Sequence, residues 1–135
     1  MTRQPPRTSA CTHRDAVTRL AQARIYLEAA ELVNATEGEA ENTVATGNAV
    51  LAAIAAGDAI CCEVAKARYR GERHREGADF LAAATGRKEL GDWLRLVIDL
   101  KDAGHYGLGN VSMANTKTAL RNARKLVEAA GTFIR

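Results

Sequence analysis

The sequence predicts an all-α protein, an antiparallel bundle of four main helices plus one short helix. Three observations point there. The 135 residues are 47% hydrophobic but only 4% aromatic, with alanine dominant, and alanine is the strongest helix former. The strand-favouring Val, Ile, Phe and Tyr are sparse, which argues against sheets. Apolar residues recur at helical spacing in segment after segment, and the two prolines, Pro5 and Pro6, sit near the N-terminus where they interrupt no helix. The length suits one domain with a real core, drawn here over residues 12–135 behind a flexible basic tail at 1–11 that carries Arg3 and Arg7.

The elements follow in order. Thr12 and Asp15 have capping-box spacing, with Asp replacing the usual Glu, and Ala16, Leu20, Ala23, Leu27 and Ala30 then form a stripe, so a helix is predicted over about 13–35. "NATEGEAEN" breaks the pattern and reads as a turn. From Val44 to Ala65 the chain is apolar on nearly every side, which marks a buried helix. Its length invites a membrane-spanning reading, but Thr46, Asn48 and Asp58 interrupt it, and alanine drives insertion poorly. Gly47 and Gly57 within it suggest close approach of a neighbouring backbone. A short helix is predicted from about His74 to Ala84, ended by Gly86, and another from about Lys88 to Ala103, where Leu90, Trp93, Leu94, Val97 and Leu100 give a strong amphipathic signal. Gly104 occupies the place of a capping glycine. The last helix starts at Ser112, and its stripe is Leu120, Ala123, Leu126, Val127 and Ala130.

The formal charge of +3 permits a polyanionic partner without demanding one. Cys11, Cys61 and Cys62 form an odd set without framework spacing, and no apolar leader precedes the basic start, so the chain reads as cytoplasmic with reduced thiols. Neighbouring residues on a helix point about 100° apart, so Cys61 and Cys62 suit neither a mutual bond nor a shared metal and read as packing residues.

Four places could carry function. Lys66, Arg68, Arg70, Arg73, His74 and Arg75 surround Tyr69, a composition that suits phosphate contact with one aromatic for stacking, or a solvated charged turn partly neutralised by Glu63, Glu72 and Glu76. Lys117, Arg121, Arg124 and Lys125 lie opposite the stripe of the last helix, the ordinary solvent-facing choice. Asp58 is a carboxylate in an apolar helix and must be paired or protonated, with a basic residue of the fourth helix a reasonable partner. Lys101 and His105 suit metal-free RNA cleavage in kind, as a phosphate-steadying cation and a general acid or base, but Gly104 is expected to end their helix. There is no glycine-rich phosphate loop, no nucleophile elbow and no zinc-type spacing, so neither cofactor nor metal is expected.

Over roughly Thr12 to Ala130 the order of elements resembles the HEPN superfamily of small helical domains. "AVTRLAQARIYLEAAELV" is similar to that family's opening helix, and "GNAVLAAIAAGDAI" to its central small-residue helix. "LKDAGHYG" followed by "VSMANTKTALRNARKLVEAA" resembles its basic-x-x-small-x-Tyr signature before the final helix, with Lys101, Gly104 and Tyr106 in those positions. The resemblance implies a module, commonly paired as a homodimer, of either a ribonuclease toxin type or a non-catalytic type. The ribonuclease type carries an arginine, four to six residues, then a histidine before the last helix. Here Lys101 and His105 are separated by only three residues, while Arg68 and His74 have the spacing but precede the fourth helix. The expectation is therefore a binding module for RNA, DNA, a nucleotide or a protein partner such as an antitoxin, with no membrane. Its contact surface would hold Lys101, His105, Tyr106, Arg68, Arg70, Arg73, His74 and Arg75. The alternatives are a metal-independent ribonuclease using His105 with Lys101, or His74 with Arg68, and a purely structural bundle.

Overall fold

The structure is a computed structural model that describes residues 6–105 and 109–135, with the backbone alone over 101–105. Its described residues form five helices and a two-stranded sheet in the order β1 (Thr8–Ala10), α1 (His13–Asn34), α2 (Glu39–Ala65), β2 (Ala67–Tyr69), α3 (His74–Thr85), α4 (Lys88–His105) and α5 (Met113–Phe133). The all-α expectation is met apart from the small sheet.

α1 starts where its capping box predicts. The Asp15 amide donates to Thr12 Oγ1 at 3.2 Å, and the Thr12 amide donates to Asp15 Oδ2 at 2.9 Å. These bonds satisfy two amides that a helix start otherwise leaves without partners. Ala16, Leu20, Ala23 and Ala30 turn inward. α2 begins at Glu39, inside the segment expected to be a turn, because Gly38 in an extended conformation serves as its N-cap. The helix is the hub of the molecule and packs against α1, α3, α4 and α5. One stretch of it reaches a mean hydropathy of 1.6, enough in length and composition for a membrane span. Here 61% of that stretch is buried against the surrounding helices, with Ala45, Ala49, Ala52, Ala53, Ala56 and Ala59 of α2 fully buried, while Leu51 faces outward. Small side chains at these positions let the neighbouring helices close in, so the core packs densely with few large residues. Thr46 and Thr116, buried between α2 and α5, place their hydroxyls 3.0 Å apart, and both reach the Asn42 carbonyl.

The two glycines of α2 behave differently from expectation. A Cβ on Gly47 would meet nothing within 4 Å, and one on Gly57 would meet the side chains of Leu94 and Leu81 at 3.4 and 3.5 Å, not a backbone. The close backbone approach lies at Gly91, where a Cβ would sit 2.7 Å from the Ala78 carbonyl oxygen. Glycine there lets the start of α4 rest directly on α3.

α3 ends as predicted at Gly86, in the left-handed region at φ 70°, with its amide bonded to the Ala82 carbonyl. α4 does not stop at Gly104; it runs through that glycine to His105. α5 starts at Ser112, whose Oγ accepts the Asn115 amide at 3.1 Å.

The N-terminal segment departs most from expectation. Order begins at Thr8 or earlier, not at Thr12, because β1 pairs antiparallel with β2 in the register Thr8↔Tyr69, Ser9↔Arg68 and Ala10↔Ala67. Lys66 makes this possible by adopting φ 54° at the end of α2, which turns the chain from helix into strand. Its carbonyl accepts the Cys11 amide at 3.0 Å, and at the far end the Arg70 amide donates to the Arg7 carbonyl at 2.9 Å. Cys11 is disulfide-bonded to Cys62, while Cys61 is free and buried. The reduced reading of the cysteines holds for Cys61 and fails for Cys11 and Cys62, and with it the packing-only reading of Cys62, because the fold brings Cys11 back across the last turn of α2.

Candidate functional site

A cavity of about 250 Å³ opens between α2, β2, α3 and α4, joined by Arg19 from α1. It gathers part of the basic run. Arg68 lies on β2, Arg70 follows it, and His74 is the first residue of α3, and all three line the cavity together with Tyr69. Its apolar lining comes from Ile54 of α2, Leu81 of α3, and Leu94 and Ile98 of α4.

Asp58 also lines the cavity. Its Oδ2 accepts from Arg19 Nε at 3.2 Å and Nη2 at 3.1 Å, and Arg68 Nη1 lies 3.8 Å away. The partners therefore come from α1 and β2, not from α4 as expected. The arrangement follows from antiparallel pairing of α1 with α2, which sets His13 beside Glu63 at 2.6 Å and Arg19 beside Asp58 one to two turns further on. Only 13% of the Asp58 side chain is exposed. Burial pushes its carboxyl above the usual carboxylate range, and the guanidinium groups of Arg19 and then Arg68 pull it back only part of the way. Beside it, burial and the Asp58 charge push the Cys61 thiol up to about 12, so the sulfur stays protonated and is not a nucleophile at neutral pH.

Tyr69 is built into the wall. Its hydroxyl donates to Glu76 Oε2 at 2.9 Å and accepts the Arg73 amide at 3.1 Å. Its ring lies against Gly77, where a Cβ would come within 3.1 Å of Cδ1. Burial and the bond to Glu76 hold the phenol above its usual range, so it acts as a neutral spacer.

The rest of the basic run does not line the cavity. Arg73 reaches outward, 4.0 Å from Glu76, and Arg75 pairs with Asp99 of α4 at 3.6 Å. On the last helix, Arg124 binds Glu31 of α1 through Nε at 3.0 Å and Nη2 at 2.8 Å, and Lys125 Nζ lies 5.4 Å from the centre of the Trp93 ring. These two knit helices together, while Lys117 and Arg121 are exposed. Lys101 and His105 lie four positions apart in α4, with their side chains outside the described residues, and Tyr106 lies outside them altogether.

Sequence reasoning missed Arg19 and the four apolar wall residues. Arg19 carried a signal, since it lies at the edge of the Ala16, Leu20, Ala23 stripe, a place where a charge must find a partner on the adjoining helix. Among the described residues no group of three His, Cys, Asp or Glu could hold a metal. The cavity offers cations, one partly paired carboxylate and an apolar face. No protein-family model, curated protein or solved structure matches the chain.

Proposed function

We propose that the chain is an HEPN-like helical binding module whose cleft takes a small anion with a flat apolar body, of the nucleotide class. One observation carries the reading: Arg68, Arg70 and His74 converge on a single cavity that also has an apolar wall. Among the described residues Arg70 and His74 enter no ion pair, so their charge and hydrogen-bonding capacity are open to an anion. A cavity of about 250 Å³ lies just below the range of clefts that hold drug-sized ligands, so it has room for part or all of one nucleotide and not for a strand. The HEPN-like part of the reading draws support from the helix order and from the alanine-rich helix at the centre.

The test is titration of the air-oxidised protein with adenosine 5′-monophosphate and with inorganic phosphate. Binding should weaken with salt, and Arg70→Ala should weaken it by about tenfold, the loss of one charge-assisted contact. If millimolar concentrations of both probes leave the protein unbound, the cleft is not an anion site. The meeting of Arg68 and His74 in one cavity also favours a second reading, metal-independent RNA cleavage. That reading requires cleavage in EDTA that His74→Ala abolishes.

A further inference from the structure

We propose that the Cys11–Cys62 disulfide is a redox latch on this cleft, closed when oxidised and opened by a dithiol reductant. The inference rests on the cleft being the binding site and concerns how that site is regulated. β2 forms the charged wall of the cleft, and its pairing partner in the sheet is β1, a strand of 3 residues. Two-stranded ribbons of this length are marginal in water by themselves. What fixes β1 is the covalent bond immediately after it: Cys11 follows Ala10, and Cys62 lies in the last turn of α2, just before the Lys66 turn into β2.

The bond holds little else. α1 is seated independently by its capping box, by the His13 to Glu63 contact and by buried Ala16 and Leu20. Opening the disulfide therefore releases the chain before Thr12 and leaves α1 in place. Arg70 then loses the Arg7 carbonyl that orders its amide, and the Lys66 carbonyl loses the Cys11 amide. The wall carrying Arg68 and Arg70 loosens.

A reductant can reach the bond. Both cysteines line a separate surface cavity of about 540 Å³ between β1, α1 and β2. Cys11 is the more accessible of the two, 9% exposed against 1% for Cys62. A dithiol's thiolate attacks Cys11 Sγ, the S–S bond breaks and Cys62 leaves as a thiolate that takes up a proton. The second thiol of the reductant then displaces Cys11, so two electrons and two protons pass to the protein and the reductant becomes a disulfide. Cys61 does not compete: it lines the other cavity and its thiol stays protonated.

Three readouts on the full chain test the latch: alkylation under denaturing conditions, amide hydrogen exchange, and titration with adenosine 5′-monophosphate, each with and without dithiothreitol. The oxidised protein should take one label and the reduced protein three. Reduction should raise exchange over Ala67–Tyr69 and Arg70 by about tenfold or more at short exchange times, at which α5, protected up to global unfolding, stays unlabelled in both forms. Affinity for the nucleotide should fall by about tenfold, and Cys11→Ser should show the weak affinity with or without reductant. Should that variant fail to fold, dithiothreitol-treated wild type gives the same comparison. Three labels on the air-oxidised protein, or unchanged exchange in β2 on reduction, would overturn the latch. Increased exchange with equal nucleotide affinity in both forms would overturn its coupling to the cleft. Increased exchange with no nucleotide bound by either form would instead overturn the binding reading and leave a latch on β2 alone.

Discussion

Asp58 shows how one residue can be costly in isolation and still be kept. Placing a carboxylate in an alanine-rich helix removes it from water, and the two guanidinium groups beside it recover only part of that loss, so its proton affinity rises on folding. The consequence for stability has a definite sign. Between the ordinary carboxylate value of 3.8 and the raised folded value, the folded state binds more protons than the unfolded state, so stability attributable to this group falls as pH rises through that window. Above it the charge is a fixed cost. Asp58→Asn removes the charge while keeping a group that can face Arg19. At about pH 7 the variant is expected to be neutral to more stable by about 1 kcal/mol, since the folded site favours the uncharged form and the Arg19 and Arg68 side chains left behind, 29% and 44% exposed, stay partly in water. Its margin over wild type should shrink as pH falls through the window above 3.8 in which the folded Asp58 takes up its proton. Urea unfolding of both proteins across that range checks the prediction. A margin that widens in acid would show that the arginines outweigh burial.

At the scale of elements, the contact between α3 and α4 depends on a single missing methyl group. A Cβ on Gly91 would lie 2.7 Å from the Ala78 carbonyl oxygen and 3.0 Å from the Ala82 Cβ, and neither is the far end of a flexible side chain. Alanine gains up to about 1 kcal/mol over glycine inside a helix, but overpacking of this kind costs about 1–3 kcal/mol. Gly91→Ala should therefore lower stability by about 1–2 kcal/mol in urea unfolding; an unchanged or higher midpoint would mean the helices are not in contact there. The sequence showed a helix at this place but not its closest approach, because periodicity reports which face of a helix is buried, not how near the neighbour comes. The same limit explains what else was legible. α1, α3 and α5 were placed within a residue or so because caps and stripes are local signals, written at Thr12, Gly86 and Ser112. β1 and β2 are too short for an alternation to register, and their pairing is set by the Lys66 turn, which no residue preference announced. The cleft was half legible for the same reason: Arg68, Arg70 and His74 stood out as a run, whereas Arg19, Leu81, Leu94 and Ile98 join them only through the packing of α1, α3 and α4 on α2.

For the whole molecule, the disulfide joins residues 51 apart in sequence and so constrains nearly all of α1 and α2 in the unfolded chain. In the folded state the same α1 to α2 pairing is maintained by buried alanines and by the His13 and Arg19 contacts, so reduction should change the fold's secondary structure little. Its main thermodynamic effect falls on the unfolded ensemble, which regains the freedom that a closed loop of this length denies it. On the chain-entropy argument the loss is about 4 kcal/mol. Far-UV circular dichroism should therefore be nearly identical for oxidised and reduced protein at low urea, while the unfolding midpoint of the reduced form shifts down with a slightly larger dependence on denaturant, because its unfolded state exposes more surface. Equal midpoints would show that the 51-residue loop is already constrained when the chain unfolds, by residual contact between α1 and α2. A large drop in helicity on reduction would show instead that α1 relies on Cys11 for its seat, and that the bond holds the fold as a whole, beyond the strand beside the cleft.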